Sequence, residues 1–431
     1  MHIAYLTGEY PRATDTFIQR EVFTLRQQGI KVQTFSIRKT GDEHIVGPEQ
    51  AAERDRTFYI LPIQPIALLL AHLNLLASSP ARYFQALKLA WSTRQVGLKG
   101  TLYQIFYFLE AGMLARQIQQ QQIQHLHNHF ADSSCTVAML AAALGGFSFS
   151  FTLHGPSIFF EPYRWQIGEK INEALFVCCI SHFCRSQGMI FAPSTKWDRM
   201  HIIHCGVDPT LFKRVEHQGA GKHLLYVGRL AVVKGLPILL ESLVTLKRSQ
   251  DDITLTVVGD GPDRVQLEAQ AAQLGLSENV KFVGYQSQTQ VRSFIQQTDI
   301  FVMSSFAEGV PVVLMEAMAA GVPVVSTQIA GISELVEDGI SGFLVPPGDA
   351  IALTDGIEKL LANSELRGRL GAAGRAKVEA EFNINHEAAR LHRVMTSALQ
   401  GKVVAIRPSV AEDMSEDGAE ADLSRLSPAV K

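Results

Sequence analysis

The sequence predicts an α/β protein made of two parallel-sheet units, and three observations carry that prediction. The chain opens with a strand, helix and strand in succession. Four strand-like runs in the second half each end at a loop rich in glycine or polar residues. The stretch Glu308-Gly309-Val310-Pro311-Val312-Val313-Leu314-Met315-Glu316 places a helix start between two carboxylates.

Residues 3–7 and 31–36 read as strands around a helix spanning about 15–29. Residues 147–153 alternate in polarity and end at His154-Gly155, while 174–177 is an apolar run leading into Cys178-Cys179 and reads as a core strand. Between them, about 57–120, the pattern is helical. Within it, residues 57–109 carry Arg82, Lys88, Arg94 and Lys99 without one Asp or Glu. The longest apolar piece there, 66–76, falls short of the roughly 20 residues that span a bilayer. Such a segment suits either helices packed on the sheet and on each other or an interfacial contact with an anionic membrane surface.

In the second half, 223–227 runs into Gly228 and is followed by Arg229 and Lys234. Residues 255–258 end at Gly259-Asp260-Gly261-Pro262, 280–283 at Gly284-Tyr285, and 299–303 at the loop 304–309. Ligands of open α/β sheets bind beyond the carboxyl ends of the strands, so all four loops are expected on one edge. Arg offers a planar fork and Lys a point charge, both suited to phosphate oxygens. Pro311 fits a first helical turn, where a missing N–H costs little, and the free N–H groups of Gly309, Val310, Val312 and Val313 join the helix dipole in an anion site. Glu308 lies outside this helix and Glu316 more than a turn inside, so the two carboxylates can reach different parts of one ligand. Taken alone, the same spacing also describes a solvated Glu before a helix and another on its polar face.

Gly228-Arg229-Leu230 with Lys234-Gly235, Gly259-Asp260-Gly261-Pro262, Phe282-Val283-Gly284-Tyr285, the segment from Glu308 to Glu316, Glu334-Leu335-Val336 and Gly342-Phe343-Leu344-Val345-Pro346-Pro347-Gly348-Asp349 together resemble the carboxyl-terminal signature of glycosyltransferase family 4 over roughly 120 residues. The amino-terminal half resembles members that build exopolysaccharides, including the colanic-acid type, through Glu9-Tyr10-Pro11, Thr16-Phe17-Ile18, Glu21, His127-Asn128-His129-Phe130-Ala131 and 149–154. Gly8-Glu9-Tyr10 departs from the Gly-Gly pair that many members carry after the first strand.

The resemblance implies the GT-B fold, two Rossmann-like domains facing across a cleft, and a retaining transfer from a nucleoside-diphosphate sugar to a hydroxyl of a glycan or polyprenyl-linked glycan. It also implies that His154 lies beside the donor sugar, that Glu308 holds the sugar's hydroxyls and that Glu316 accepts from the ribose. Arg229 and Lys234 would stabilise the departing diphosphate. Gly228, Gly284 and Tyr285 would line the donor pocket, the last two reading the base through backbone groups. No Asp-x-Asp triplet occurs, which agrees with a metal-independent reaction needing no cofactor. Two other classes stay open: a nucleotide-sugar epimerase on the same fold, and a catalytically silent scaffold of a polysaccharide assembly complex.

Composition bounds these readings. The chain has 431 residues, 47% of them hydrophobic, enough for sizeable cores in more than one domain. Its net charge of −3 gives no support for nucleic-acid binding. Cys135, Cys178, Cys179, Cys184 and Cys205 show neither a metal spacing nor a disulfide framework, which fits a reducing cytosol, and no basic-then-apolar leader opens the sequence. The expected organisation is a first domain over 1–212, a connector at 213–222, a second domain over 223–382 and a helix at 383–400 crossing back to the first domain. The tail, 401–431, is polar, acidic and poor in large apolar residues, and is expected to be disordered.

Overall fold

A computed structural model describes residues 1–216 and 221–408. Part of the expected connector, 217–220, and the tail from 409 lie outside the described residues.

The first half holds strands β1 (His2–Glu9), β2 (Lys31–Arg38), β3 (Phe58–Tyr59), β4 (His125–His129), β5 (Ser148–Leu153), β6 (Val177–Cys179) and β7 (Met200–Ile202). They pair in the order β3-β2-β1-β4-β5-β6-β7, parallel throughout. The second half holds β8 (His223–Val227), β9 (Thr254–Val258), β10 (Val280–Gly284), β11 (Ile300–Met303), β12 (Val324–Thr327) and β13 (Phe343–Val345), again parallel, in the order β10-β9-β8-β11-β12-β13. Helices cover both faces of such sheets, so central strands are apolar on both sides, and Ile300, Phe301, Val302, Val324 and Val325 are all fully buried. With two α/β sheets of this kind, the chain has the two-domain GT-B architecture.

Strand order reverses between β1 and β4 in the first sheet and between β8 and β11 in the second. In a doubly wound sheet these switch points are where crevices open at the carboxyl edge. Glu9 and His129 end the first pair, and the loops starting at Gly228 and Ser304 follow the second.

The helical segment forms Pro65–Ser78, Pro80–Ser92 and Leu98–Gln120. Each helix buries a narrow stripe (Ala71, His72 and Leu75; Ala86 and Ala90; Phe108, Ala111, Leu114 and Ala115). The rest of the apolar surface is uncovered: Ile66, Leu69, Leu70, Leu73, Phe84 and Trp91 are each more than half exposed.

The helix Ile384–Leu399 packs on the helix Thr16–Gln27 of the first half, where Ala388, Leu391, Val394 and Met395 share one core with Ile18, Val22 and Leu25. Two chain crossings lie side by side: Val207 N–H donates to Phe382 O at 2.9 Å and Ile384 N–H to Val207 O at 2.9 Å. Residues 402–408, which composition assigned to the disordered tail, are ordered along β7. Ile202 N–H donates to Ile406 O at 2.7 Å and Arg407 pairs with the buried Glu387 at 3.1 Å. An edge strand offers unpaired N–H groups and a buried carboxylate needs a cation; neither demand is visible in the polar composition of the segment.

Candidate active site

The second-half wall is knitted from three strand ends. Gly228 N–H donates to Val258 O and Gly259 N–H to Gly284 O, both at 2.9 Å. Gly259 has a φ of +130°, and a side chain there would collide with the Gly228 carbonyl, so the tight approach of these loops requires glycine. Beyond β8 a short turn, Val232–Lys234, aims Lys234 at the loop after β11.

There Lys234 Nζ meets Glu308 Oε1 at 2.6 Å, and Ser305 Oγ donates to the same oxygen at 2.7 Å. Glu308 is buried, so the ammonium and the hydroxyl supply what water would otherwise give. Arg229 is exposed and, among the described residues, its side chain makes no hydrogen bond or ion pair with another side chain or with the backbone. Gly309, Val310 and Pro311 then lead into the helix Val312–Ala319; Pro311 stands at the N-cap position in an extended conformation, one residue before the first turn in which the sequence places it. Its first-turn N–H groups at Val312 and Val313 precede any intrahelical acceptor and face the same loop. Glu316, one turn on, is buried as well. Gly284 and Tyr285 end β10, two strands out from β8; Tyr285 is half exposed at the edge of this group.

The opposite wall comes from the first half. His154 follows β5, with Phe17 and Phe130 against its ring at centroid distances of 4.9 and 4.8 Å. Burial, and secondarily the neighbouring His129, holds its pKa well below the ordinary histidine value, so the ring is neutral near pH 7. Its Nε2 lies 3.0 Å from His129 Nδ1, and His129 Nε2 lies 3.1 Å from Glu21 Oε1. The His154 backbone carbonyl faces the other half: a Cβ at Gly309 would stand 2.5 Å from that oxygen. The ring is thus turned into the first half, while the carbonyl meets the turn between Glu308 and Pro311.

Other contacts close the walls together. Arg20 forms an ion pair with Glu316 and lies 3.4 Å from Gln288 Oε1. Glu334 accepts from the backbone N–H groups of His182 and Phe183, both at 2.8 Å, at the start of the helix His182–Phe191. Lys234, Glu308, Gly309 and His154 are thus brought together, and Glu316 on the helix that follows meets Arg20 of the first half, while Gly228 and Arg229 follow β8, the strand beside β11. Arg20 and Gln288 belong to the same neighbourhood and carry no sequence signal of their own, whereas His129 and Glu334 stand in the family-like motifs without an assigned contact. A separate depression of about 400 Å³ is lined by Thr254–Thr256 and 277–281, at the amino-terminal ends of β9 and β10 and so on the edge away from this crevice. Cys135, Cys178, Cys179, Cys184 and Cys205 are free and buried. No helix among the described residues is long and apolar enough to cross a membrane.

Comparison with known proteins agrees with this arrangement. Residues 79–211 match the model for Glycosyltransferase Family 4, and residues 207–377 match that for Glycosyl transferases group 1. The chain is 35% identical over 207 residues to the amylovoran biosynthesis glycosyltransferase AmsK of Erwinia amylovora, covering 46% of this chain and 50% of that protein. It is 36% identical over 160 residues to the lipopolysaccharide core biosynthesis glycosyltransferase LpsE of Rhizobium meliloti, covering 37% and 45% respectively. The chain thus spans about half the length of the curated relatives it matches. In fold it is similar to a sucrose-phosphate synthase from Thermosynechococcus elongatus (TM-score 0.73, 19% identity, 93% of this chain and 100% of that one). It is also similar to HepE of Anabaena, solved in complex with UDP and glucose (TM-score 0.69, 17% identity, 92% and 100%). With the two family models on consecutive stretches that together span 79–377, and with two parallel sheets meeting at their carboxyl edges, the protein carries a Glycosyltransferase Family 4 domain followed by a Glycosyl transferases group 1 domain and has the GT-B fold.

Proposed function

We propose that this protein transfers a sugar from a nucleoside-diphosphate sugar to a hydroxyl of a glycan or lipid-linked glycan in cell-surface or exopolysaccharide synthesis, with retention and without a metal. The observation that carries this reading is the meeting of Lys234, Glu308 and the Val312–Ala319 helix start at the switch point of the second sheet, directly opposite His154. As the anomeric bond breaks, charge develops on the diphosphate. Lys234, held by Glu308, and the N–H groups at the helix start supply fixed positive charge and dipoles for that position, and the exposed Arg229 at the end of β8 adds a second cation that can swing onto it. Glu308 takes hydroxyls of the donor sugar and Glu316 those of the ribose, while His154 closes the sugar side from the first half. Gly284 and Tyr285 lie toward the base. The reaction class needs no redox or carbonyl chemistry, so no cofactor enters, and the lack of an Asp-x-Asp triplet supports a reaction without a metal. Residues 1–212 form the acceptor-side unit in this reading and 223–382 the donor-side unit, joined at 213–222 and by the returning helix at 383–400.

The acceptor side has a second feature. The uncovered apolar face of 65–106 is bordered by Lys88, Arg94 and Lys99, with no carboxylate between 57 and 109. Such a face suits the cytoplasmic surface of an anionic membrane, where a polyprenyl-linked acceptor would be presented. Flotation with anionic and neutral vesicles at low salt tests this: equal recovery with both would remove the membrane contact from the proposal.

The donor site is tested by offering the protein a mixture of nucleotide sugars and identifying by native mass spectrometry which one it retains. UDP-glucose is the first candidate, given the UDP and glucose held by HepE. Arg229→Ala/Lys234→Ala should weaken retention by about two to four orders of magnitude, at roughly 1.5–3 kcal/mol per charged hydrogen bond. Wild-type donor binding and turnover in that double variant would defeat the site assignment.

A further inference from the structure

The first sheet carries a line of buried polar side chains that the transfer reaction, as described, does not use. His125 Nδ1 and Nε2 meet Ser148 and Ser150 at 2.8 and 2.7 Å, and His127 Nδ1 and Nε2 meet Ser150 and Thr152 at 2.8 and 2.9 Å. His129, next outward on β4, breaks this pattern. Instead of a hydroxyl on β5, it has Glu21 on one nitrogen and His154 on the other. Tyr5 O–H also donates to Glu21 Oε1, at 2.7 Å.

The order of protons along this line follows from donor and acceptor capacity. A carboxylate oxygen has no proton to give, so His129 Nε2 donates to Glu21. With the proton of His129 on Nε2, its Nδ1 is an acceptor and His154 Nε2, 3.0 Å away, is the donor, because two lone pairs at that distance repel. That leaves the lone pair of His154 on Nδ1, whose neighbour is the Cys205 thiol at 3.9 Å, a weak donor. We propose that Glu21 and His129 are positioning residues: they fix the tautomer and the orientation of His154, and through them the carbonyl that His154 presents to the turn at Gly309. The proposal rests on the donor-site reading above, since it is the donor sugar that His154 would meet. Glu21, His127 and His129 also bring ligand-type atoms within 4.8 Å of one another, but both nitrogens of His127 are engaged by hydroxyls, so a hydrogen-bonded relay accounts for the cluster.

Histidine labelled with ¹⁵N in the full-length protein reads the tautomer directly, with His154 assigned by its loss in His154→Gln. The wild type should show His154 protonated on Nε2. Glu21→Leu should mix the two tautomers, and Glu21→Gln, whose amide oxygen still accepts, should restore the single one. In parallel, turnover of UDP-glucose to UDP without acceptor should fall about tenfold in Glu21→Leu with the donor Kd changed less than about threefold, and recover in part in Glu21→Gln. His154 protonated on Nδ1 in the wild type would overturn the proposal. So would an unmoved tautomer in Glu21→Leu, or stoichiometric zinc in the purified protein. Loss of donor binding in the wild type would instead count against the donor-site reading, leaving the tautomer result to judge the relay alone.

Discussion

Arg20 forms an ion pair with Glu316, and its removal should make a donor that uses Glu316 bind more tightly. If Glu316 accepts from ribose hydroxyls, the donor has to take at least one carboxylate oxygen from Arg20. The pair is largely buried, with side-chain exposures of 17% and 10%, so it is more than a surface contact, yet Arg20 keeps some access to water. A hydrogen bond between charged groups contributes about 1.5–3 kcal/mol; discounted for that access, the exchange opposes the donor by about 1–2 kcal/mol. In Arg20→Ala the opposition is gone, and the donor Kd should fall by about 5- to 30-fold. Titration calorimetry with UDP-glucose on wild type and variant measures it, and repeating the titration with UDP alone separates the nucleotide from the sugar. Weaker binding in Arg20→Ala would refute the reasoning, because it would mean that Arg20 holds the donor rather than competes with it.

Two further predictions concern charge. Glu316→Gln should chiefly raise the donor KM, and Glu308→Gln should chiefly lower kcat, measured with the donor identified by retention; the opposite split would exchange their assigned roles. Glu110, on the helix Leu98–Gln120, is pushed by burial from 4.5 to about 7, an effect that Arg38 only partly offsets. Because the folded protein holds this proton longer than the unfolded chain, stability is fully present below about pH 4.5 and is lost as pH rises through about 7, by about 3 kcal/mol in all. Glu110→Gln should therefore raise Tm at pH 7.5 and leave it unchanged near pH 4.5, as followed by thermal unfolding across that range.

The parts of this site that could be read from the sequence are those built within one loop. A strand, a polar turn and Pro311 place the helix start at Val312 without reference to anything distant, and Glu308 and Glu316 follow from their positions on it. Lys234 was legible as a cation at a strand end. Its pairing with Glu308 was not, since it depends on β8 and β11 becoming neighbours across a crossover. Arg20 and Glu316 lie in different halves of the fold, and no local pattern announces a contact between them. His129 shows the same limit: the motif around it carried a family likeness, but that its Nδ1 finds His154 while His127 finds hydroxyls depends on which strand lies beside β4. For 57–109, composition identified helices and an uncharged-to-basic surface. Which faces stay open is decided by how much sheet is available to cover them, and that is a property of the assembled domain.

The shared core of the helices Thr16–Gln27 and Ile384–Leu399 has a consequence for how the protein is made. Ile18, Val22 and Leu25 emerge from the ribosome early, but their partners Ala388, Leu391, Val394 and Met395 are translated only after the whole of the second sheet. The amino-terminal half therefore carries an open apolar seam throughout synthesis and is finished last, although it is begun first. A nascent chain halted at residue 382 would hold every strand of both sheets but lack the helix that covers Ile18, Val22 and Leu25, which makes the seam around Val22 a place where a holdase chaperone has apolar surface to cover.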